Sequence, residues 1–223
     1  MGEQRGDGRA SEACVRATGG LLRVRLARLA FWVWAIASFV MACTLMLGHS
    51  YALPRPTTAS PGLRAAIAEA RAPADQGRWL VHHFVYGRCR CSQRVLASLF
   101  ARKPLAGVAE RVVLVGGQGA YERGAREAGF ALDVIEPSAL KTRFHLEAAP
   151  VLVVTDPAGE VRYVGGYTER KQGYALRDVE IVRALRAGRA EIELPLFGCA
   201  VSEQLARVLD PLGLRTPADA VQE

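Results

Sequence analysis

Hydrophobic and polar positions divide this chain into one long apolar run and a series of shorter segments with helix or strand periodicity. From Leu29 to Pro54 there is no Asp, Glu, Lys or Arg, and the stretch L-A-F-W-V-W-A-I-A-S-F-V-M-A-C-T-L-M-L-G is apolar on every side. Such a run of ~20 residues matches a hydrocarbon core of roughly 30 Å. Trp32, Trp34 and Tyr51 suit its two interfaces. Pro54, Pro56, Thr57, Thr58, Ser60, Pro61 and Gly62 then read as a linker, and Leu63 to Ala72 as a short helix stopped by Pro73.

The next stretch, W-L-V-H-H-F-V-Y-G-R-C-R-C-S from Trp79 to Ser92, organises the rest of the chain. Leu80, Val81, Phe84, Val85 and Tyr86 predict a strand that Gly87 ends. Val95, Leu96, Leu99 and Phe100 recur at helical spacing after Ser92. Lys103-Pro104 closes that helix, and Arg111 to Val115 predicts a buried strand. Gly116-Gly117-Gln118-Gly119 leads into a polar helix that ends near Ala128 and Gly129. These glycines are no phosphate loop, because the third glycine of G-x-G-x-x-G would fall on Glu122.

Phe130 to Ile135 predicts another strand, and Ser138 caps a helix expected to run through Leu146. Ala148-Ala149-Pro150 precedes the apolar strand Val151 to Val154. Asp156 to Gly159 is a turn, and Val161 to Tyr167 completes a β-hairpin. Leu176, Val179, Ile181, Val182 and Leu185 place an amphipathic helix before Gly188. Leu194 to Cys199 reads as irregular, and Ser202 to Leu209 as a last helix. The resulting organisation is a basic tail (1–28), a membrane helix or signal anchor (29–50), a linker with a short helix (51–75), a folded domain (76–190) and a C-terminal extension (191–223).

Composition narrows the picture. The net charge of the 223 residues is +7, yet residues 1–28 hold six arginines and three acids, so +3 of it lies in the tail. Without a basic stripe interleaved with aromatics, nucleic-acid binding is not expected. The tail is Gly-, Arg- and Ala-rich, has no apolar face and is expected to be disordered over residues 1–20. Arginines on one side of the apolar run place the N-terminus in the cytoplasm and the domain outside the inner membrane. Ser50-Tyr51-Ala52 has the small-x-small form of a cleavage site, and Val40 to Cys43 loosely resembles a lipobox. Length favours a retained single-pass anchor, since the run exceeds the roughly 7–15 residues of a signal peptide's apolar region.

The five cysteines, Cys14, Cys43, Cys89, Cys91 and Cys199, are too few for a disulfide scaffold. Cys89 and Cys91 fall at a strand-to-helix junction, where unpaired N–H groups stabilise a thiolate, and Arg88 and Arg90 add positive charge. Cys89 is expected to be the more exposed sulfur. A C-x-C pair can close a small, labile disulfide ring. Cys199 is a third redox thiol, a metal ligand or a buried apolar residue. His82 and His83 must face opposite sides of their strand, so at most one could join Cys89, Cys91 or Cys199 at a soft-metal site.

The order strand, cysteines, helix, strand, helix, then Pro, strand, turn, strand, helix resembles the α/β thioredoxin-like fold, a central mixed sheet flanked by helices. The resemblance spans about residues 76–190 and rests on three matches. The cysteine motif lies between strand and helix, Pro150 stands where the family keeps a cis-proline facing its active site, and V-L-V-V-T-D-P-A-G-E-V-R-Y-V-G-G matches the family hairpin. Together with an N-terminal anchor, this resembles the membrane-tethered TlpA/ResA-like branch.

The resemblance implies a thiol–disulfide oxidoreductase that needs no cofactor. Its partners would be exported protein thiols or a membrane redox protein. Cys89 would be the nucleophile, Cys91 a resolving thiol, and Ala149 and Pro150 would hold the substrate. Departures are plain: Ser92 occupies the second position of C-x-x-C, and Tyr86-Gly87-Arg88 replaces the Trp that usually precedes the first cysteine. A second reading is a copper-handling protein similar to the SCO family, using Cys89, Cys91 and Cys199 or a histidine. A third is a binding module on the same scaffold without turnover.

Overall fold

A computed structural model describes residues 7–49, 52–171, 173, 175–190 and 193–210; the side chains of residues 7–22, 45 and 47–49 fall outside it. The Ser50-Tyr51 part of the cleavage-like motif and residues 211–223 of the C-terminal extension also lie outside the described residues. The chain divides into two units, Met1–Tyr51 and Ala52–Glu223.

The first unit is the helix α1 (Asp7–His49). The disorder expected over residues 1–20 does not hold from Asp7 onward, where the backbone is helical. Ala10, Ala13, Ala17 and the arginines between them are strong helix formers, which outweighs the glycines. Arg23–Thr44 is long and apolar enough to cross a membrane. At ~1.5 Å per residue it extends about 33 Å. Trp32 and Trp34 expose their side chains along it.

The second unit is built around β1 (Trp79–Tyr86). β1 pairs in parallel with β2 (Val108–Val115) on one side and antiparallel with β5 (Val151–Thr155) on the other. The sheet runs β3-β2-β1-β5-β6, with β3 (Ala131–Ile135) parallel to β2 and β6 (Val161–Gly165) antiparallel to β5. A strand flanked on both sides and packed on both faces is shielded from solvent along its length, and its apolar residues fill both faces. Accordingly, residues 80–85 of β1 are all buried.

Alternation sends Val81 and Val85 to one face and Phe84 to the other. On the first face lie Val95, Leu96 and Leu99 of α3 (Arg90–Phe100), Ala125 and Ala128 of α4 (Gly119–Ala128), and Ile181, Val182 and Leu185 of α6 (Asp178–Arg186). On the second lie Leu63 and Ile67 of α2 (Pro61–Ala70), Leu140 of α5 (Pro137–Thr142), and Leu205 of α7 (Glu203–Leu209). Each such apolar side chain, once fully buried, contributes roughly 1.5–3 kcal/mol.

The fold is thioredoxin-like: a central mixed sheet with helices on both faces, β5 antiparallel to β1 and β6 returning antiparallel to β5. Ala149–Pro150 is cis, as the resemblance implied for that position. Several bounds differ from the sequence reading. β2 begins at Val108 rather than Arg111, because β1 offers partners along its full length, from Trp79 opposite Val108 to Tyr86 opposite Val115. α5 is capped by Glu136 and stops at Thr142, short of Leu146. α4 ends as expected at Gly129, whose φ of 88° supplies the left-handed turn a C-cap needs. Leu194 to Cys199, expected to be irregular throughout, leads into β7 (Cys199–Ala200), which pairs antiparallel with β4 (Ala148–Ala149).

Candidate thiol–disulfide site

β1 delivers the chain to the site at Tyr86. The Cys89 backbone N–H donates to the Tyr86 carbonyl at 2.9 Å, and the Cys89 carbonyl accepts from Gln93 N–H at 2.9 Å, the first bond of α3. Cys89 is thus the N-cap of α3, in extended conformation. Two side chains clasp the turn. Ser92 Oγ accepts from Tyr86 N–H at 3.0 Å, and Gln93 Nε2 donates to the Gly87 carbonyl at 2.9 Å. Ser92, standing at the second position of C-x-x-C, is fully buried and serves the backbone rather than redox chemistry.

The structure joins Cys89 to Cys199, a residue 110 positions away, with Cα atoms 5.9 Å apart. No C-x-C ring forms, and Cys91 is a free, half-buried thiol. The expectation that Cys89 would be the more exposed sulfur does not hold: only 1% of its surface is exposed. The reason is β7, which lays Cys199 opposite Ala149 and Ala200 opposite Ala148. Cys89 Sγ also lies 3.8 Å from the Ala149 carbonyl oxygen. The helix start, the cis-proline strand and the C-terminal segment therefore converge on one disulfide. Arg88 and Arg90 beside it are exposed.

Cys91 opens onto a shallow, solvent-open depression lined among others by Arg94, Pro150, Tyr167, Lys171 and Phe197. Behind it lies a buried polar network. The Tyr167 hydroxyl is 3.0 Å from His83 Nδ1, and His83 Nε2 is 3.3 Å from Glu110 Oε2. Glu110 also accepts from Leu105 N–H at 2.7 Å and from Arg102 at 2.8 Å, while Arg102 reaches Asp178 at 2.9 Å. Burial alone would raise the Glu110 pKa. Hydrogen bonds from His83 and Arg102, with their charges, outweigh it and lower the value to about 2. Burial, with the Asp178 charge next, pushes the Tyr167 hydroxyl well above its usual value.

His82 and His83 do leave β1 on opposite sides. His83 joins the network on the α3 face, whereas His82 stacks beside Phe84 with ring centroids 5.9 Å apart. The structure does not assemble Cys89, Cys91, Cys199, His82 and His83 into one ligand set. Among the described residues, no group of three or more His, Cys, Asp or Glu side chains is placed to hold a metal ion. Sequence reasoning named Cys199 but not its partner. The only local signal was a cysteine in an apolar stretch, and strand pairing across 110 residues has no local signature.

No protein-family model and no curated protein matches the sequence. Solved structures similar to it include an uncharacterized conserved protein from Geobacillus kaustophilus, with 20% identity, 57% of this chain and 78% of that chain covered, and a TM-score of 0.45. A secreted Mycobacterium tuberculosis disulfide oxidoreductase homologous to E. coli DsbE aligns with 16% identity over 51% of this chain and 84% of its own, with a TM-score of 0.37. A putative thioredoxin from Neisseria meningitidis aligns with 19% identity over 54% and 84%, with a TM-score of 0.37.

Proposed function

We propose that this is a membrane-anchored thiol–disulfide exchange protein whose working couple is Cys89–Cys199, with Cys91 as a second thiol at the mouth of the site. The observation that carries this reading is a disulfide whose buried member, Cys89, occupies the N-cap position of α3 and whose other member, Cys199, pairs with Ala149 next to Pro150. An incoming thiolate attacks Cys199 Sγ, the more accessible sulfur. The Cys89–Cys199 bond breaks as the new S–S bond forms, and Cys89 leaves as a thiolate. The N–H groups at the start of α3 stabilise that charge. A second thiolate then releases Cys199, leaving the dithiol form. As a reductant the dithiol form takes a separate route: with β7 displaced, Cys89 thiolate attacks a substrate disulfide, a substrate thiolate leaves, and Cys199 thiolate then attacks Cys89 Sγ to release the second substrate thiolate.

The substrates are cysteines of exported proteins or of a membrane redox partner on the outer side of the inner membrane. The arginines preceding Arg23–Thr44 support that orientation. A non-reducing gel of acid-quenched cells tests the chemistry. Cys199→Ser is expected to accumulate mixed disulfides through Cys89, whereas Cys91→Ser keeps the Cys89–Cys199 bond. Absence of adducts in both variants, with Cys89 and Cys199 reduced in the wild type, would rule out the exchange reading.

A further inference from the structure

We infer that Phe197–Val201 is a tethered copy of the substrate strand, and that the site selects extended segments whose reactive cysteine follows a glycine. This rests on the exchange reading above. β7 occupies the edge of β4 next to Pro150, in antiparallel register with Cys199 opposite Ala149. Its cysteine is bonded to the very sulfur a substrate would need to reach. Residues 197–201 are half-buried throughout, whereas Leu196 and Leu205 on either side are anchored in the core. The Leu53 N–H donates to the Leu196 carbonyl at 2.8 Å, and the Val201 N–H donates to the Glu147 carbonyl at 2.8 Å. The strand is thus fixed at its ends and lightly held in between. Once the disulfide opens, only the short middle must lift for another strand to take its place.

The register defines what can replace it. Gly198 packs its Cα directly against the backbone of residue 149. A Cβ built there would overlap the Ala149 carbonyl oxygen and come within 2.8 Å of Pro150 Cδ. Those are backbone and ring atoms that cannot swing aside. Any segment docking in β7's register therefore needs glycine immediately before its cysteine. The same geometry makes β7 a competitor: while it is seated, Cys89 is covered. Exchange is then conservative in electrons. Cys89 thiolate attacks the peptide disulfide, one S–S bond forms, one breaks, and the displaced thiolate carries away the negative charge.

The test uses the full chain in detergent, carrying Cys91→Ser and Cys199→Ser so that adducts on Cys89 accumulate. Two peptides, L-F-G-C-A-V-S and L-F-A-C-A-V-S, are supplied as mixed disulfides with thionitrobenzoate, and adducts are mapped to Cys89 by mass. The glycine peptide is expected to react at least about tenfold faster, because the alanine Cβ would overlap the Ala149 carbonyl oxygen. Gly198→Ala in the chain should act oppositely, loosening the resident strand and accelerating the glycine peptide about tenfold. Equal rates for the two peptides would overturn the inference while leaving the exchange reading intact. Should Gly198→Ala fail to fold, the two-peptide comparison on the Gly198 chain decides alone. If the symmetric disulfide of thionitrobenzoate, supplied without peptide and needing no strand pairing, leaves Cys89 unmodified even in the Gly198→Ala chain, both readings fall.

Discussion

Replacing His82 with leucine should stabilise this protein, and more so in mild acid. His82 lies in the middle of β1, fully buried, and among the described residues neither of its ring nitrogens has a hydrogen-bond partner. Burial, followed by the charges of Arg111, His83 and Arg71, lowers its pKa from 6.5 to about 3. A histidine whose folded pKa is depressed takes up its proton more readily when unfolded. Its neutral form therefore supports the fold above pH ~6.5, and that support is lost as pH falls toward ~3. Between pH 7 and pH 5 the loss amounts to about 2 kcal/mol.

Leucine removes this proton linkage together with two unpaired polar atoms, each costing about 1–3 kcal/mol when buried without a partner. It gives up the ring contact with Phe84, worth about 0.5–1.5 kcal/mol. The expected net gain is roughly 0.5–5 kcal/mol at neutral pH, with a further ~2 kcal/mol at pH 5. Urea titrations of the full chain in detergent at both pH values measure this. Destabilisation at both, with the wild-type pH slope retained, would refute the reasoning and mark His82 as a group with a partner of its own.

Glu110→Gln should cost about 3–5 kcal/mol at pH 7, since Arg102 and His83 lose a buried carboxylate. Because the Glu110 pKa is depressed from 4.5 to about 2, this difference is present above pH ~4.5 and shrinks as pH falls toward ~2. Chemical denaturation at pH 7 and pH 3 reads it directly. Ser92→Ala leaves the Tyr86 N–H without its acceptor and should cost about 1–3 kcal/mol in the same assay, with the Cys89–Cys199 bond intact by mass mapping. A reporter active only outside the cytoplasm, fused after Glu223, should be active; activity of a cytoplasm-dependent reporter instead would invert the orientation.

The elements that declare themselves locally were legible. The apolar block of β1, the helical phase of Val95, Leu96 and Leu99, the left-handed stop at Gly129 and the turn ending at Gly159 each follow from a few consecutive residues. The chemistry was legible only in part. Cys89 at the start of α3 is a local fact, but its cover by β7 is not, because Ala149 and Cys199 meet through a pairing that no periodicity encodes. The same holds for His83. A strand histidine gives no hint that Tyr167, 84 residues on, and Glu110, 27 residues on, will take its two nitrogens. Ser92 is the informative miss. Its place in the motif suggested a lost cysteine, whereas its hydroxyl holds the β1–α3 turn together.

The bond between Cys89 and Cys199 also ties a ring of polymer. With 110 residues between its ends, it removes from the unfolded chain a loop-closure entropy equivalent to about 4.7 kcal/mol. Thermodynamic reciprocity makes that number work in both directions, so the folded domain favours the disulfide by as much as the disulfide favours the folded domain. For a two-electron couple this is about 100 mV toward the oxidised form, at roughly 30 mV per 1.4 kcal/mol. The core that buries Leu196 and Leu205 thereby acts as a battery plate. Loosening it by mutation, heat or a partner that pulls on residues 202–209 would raise the couple's potential and make the same two sulfurs better oxidants.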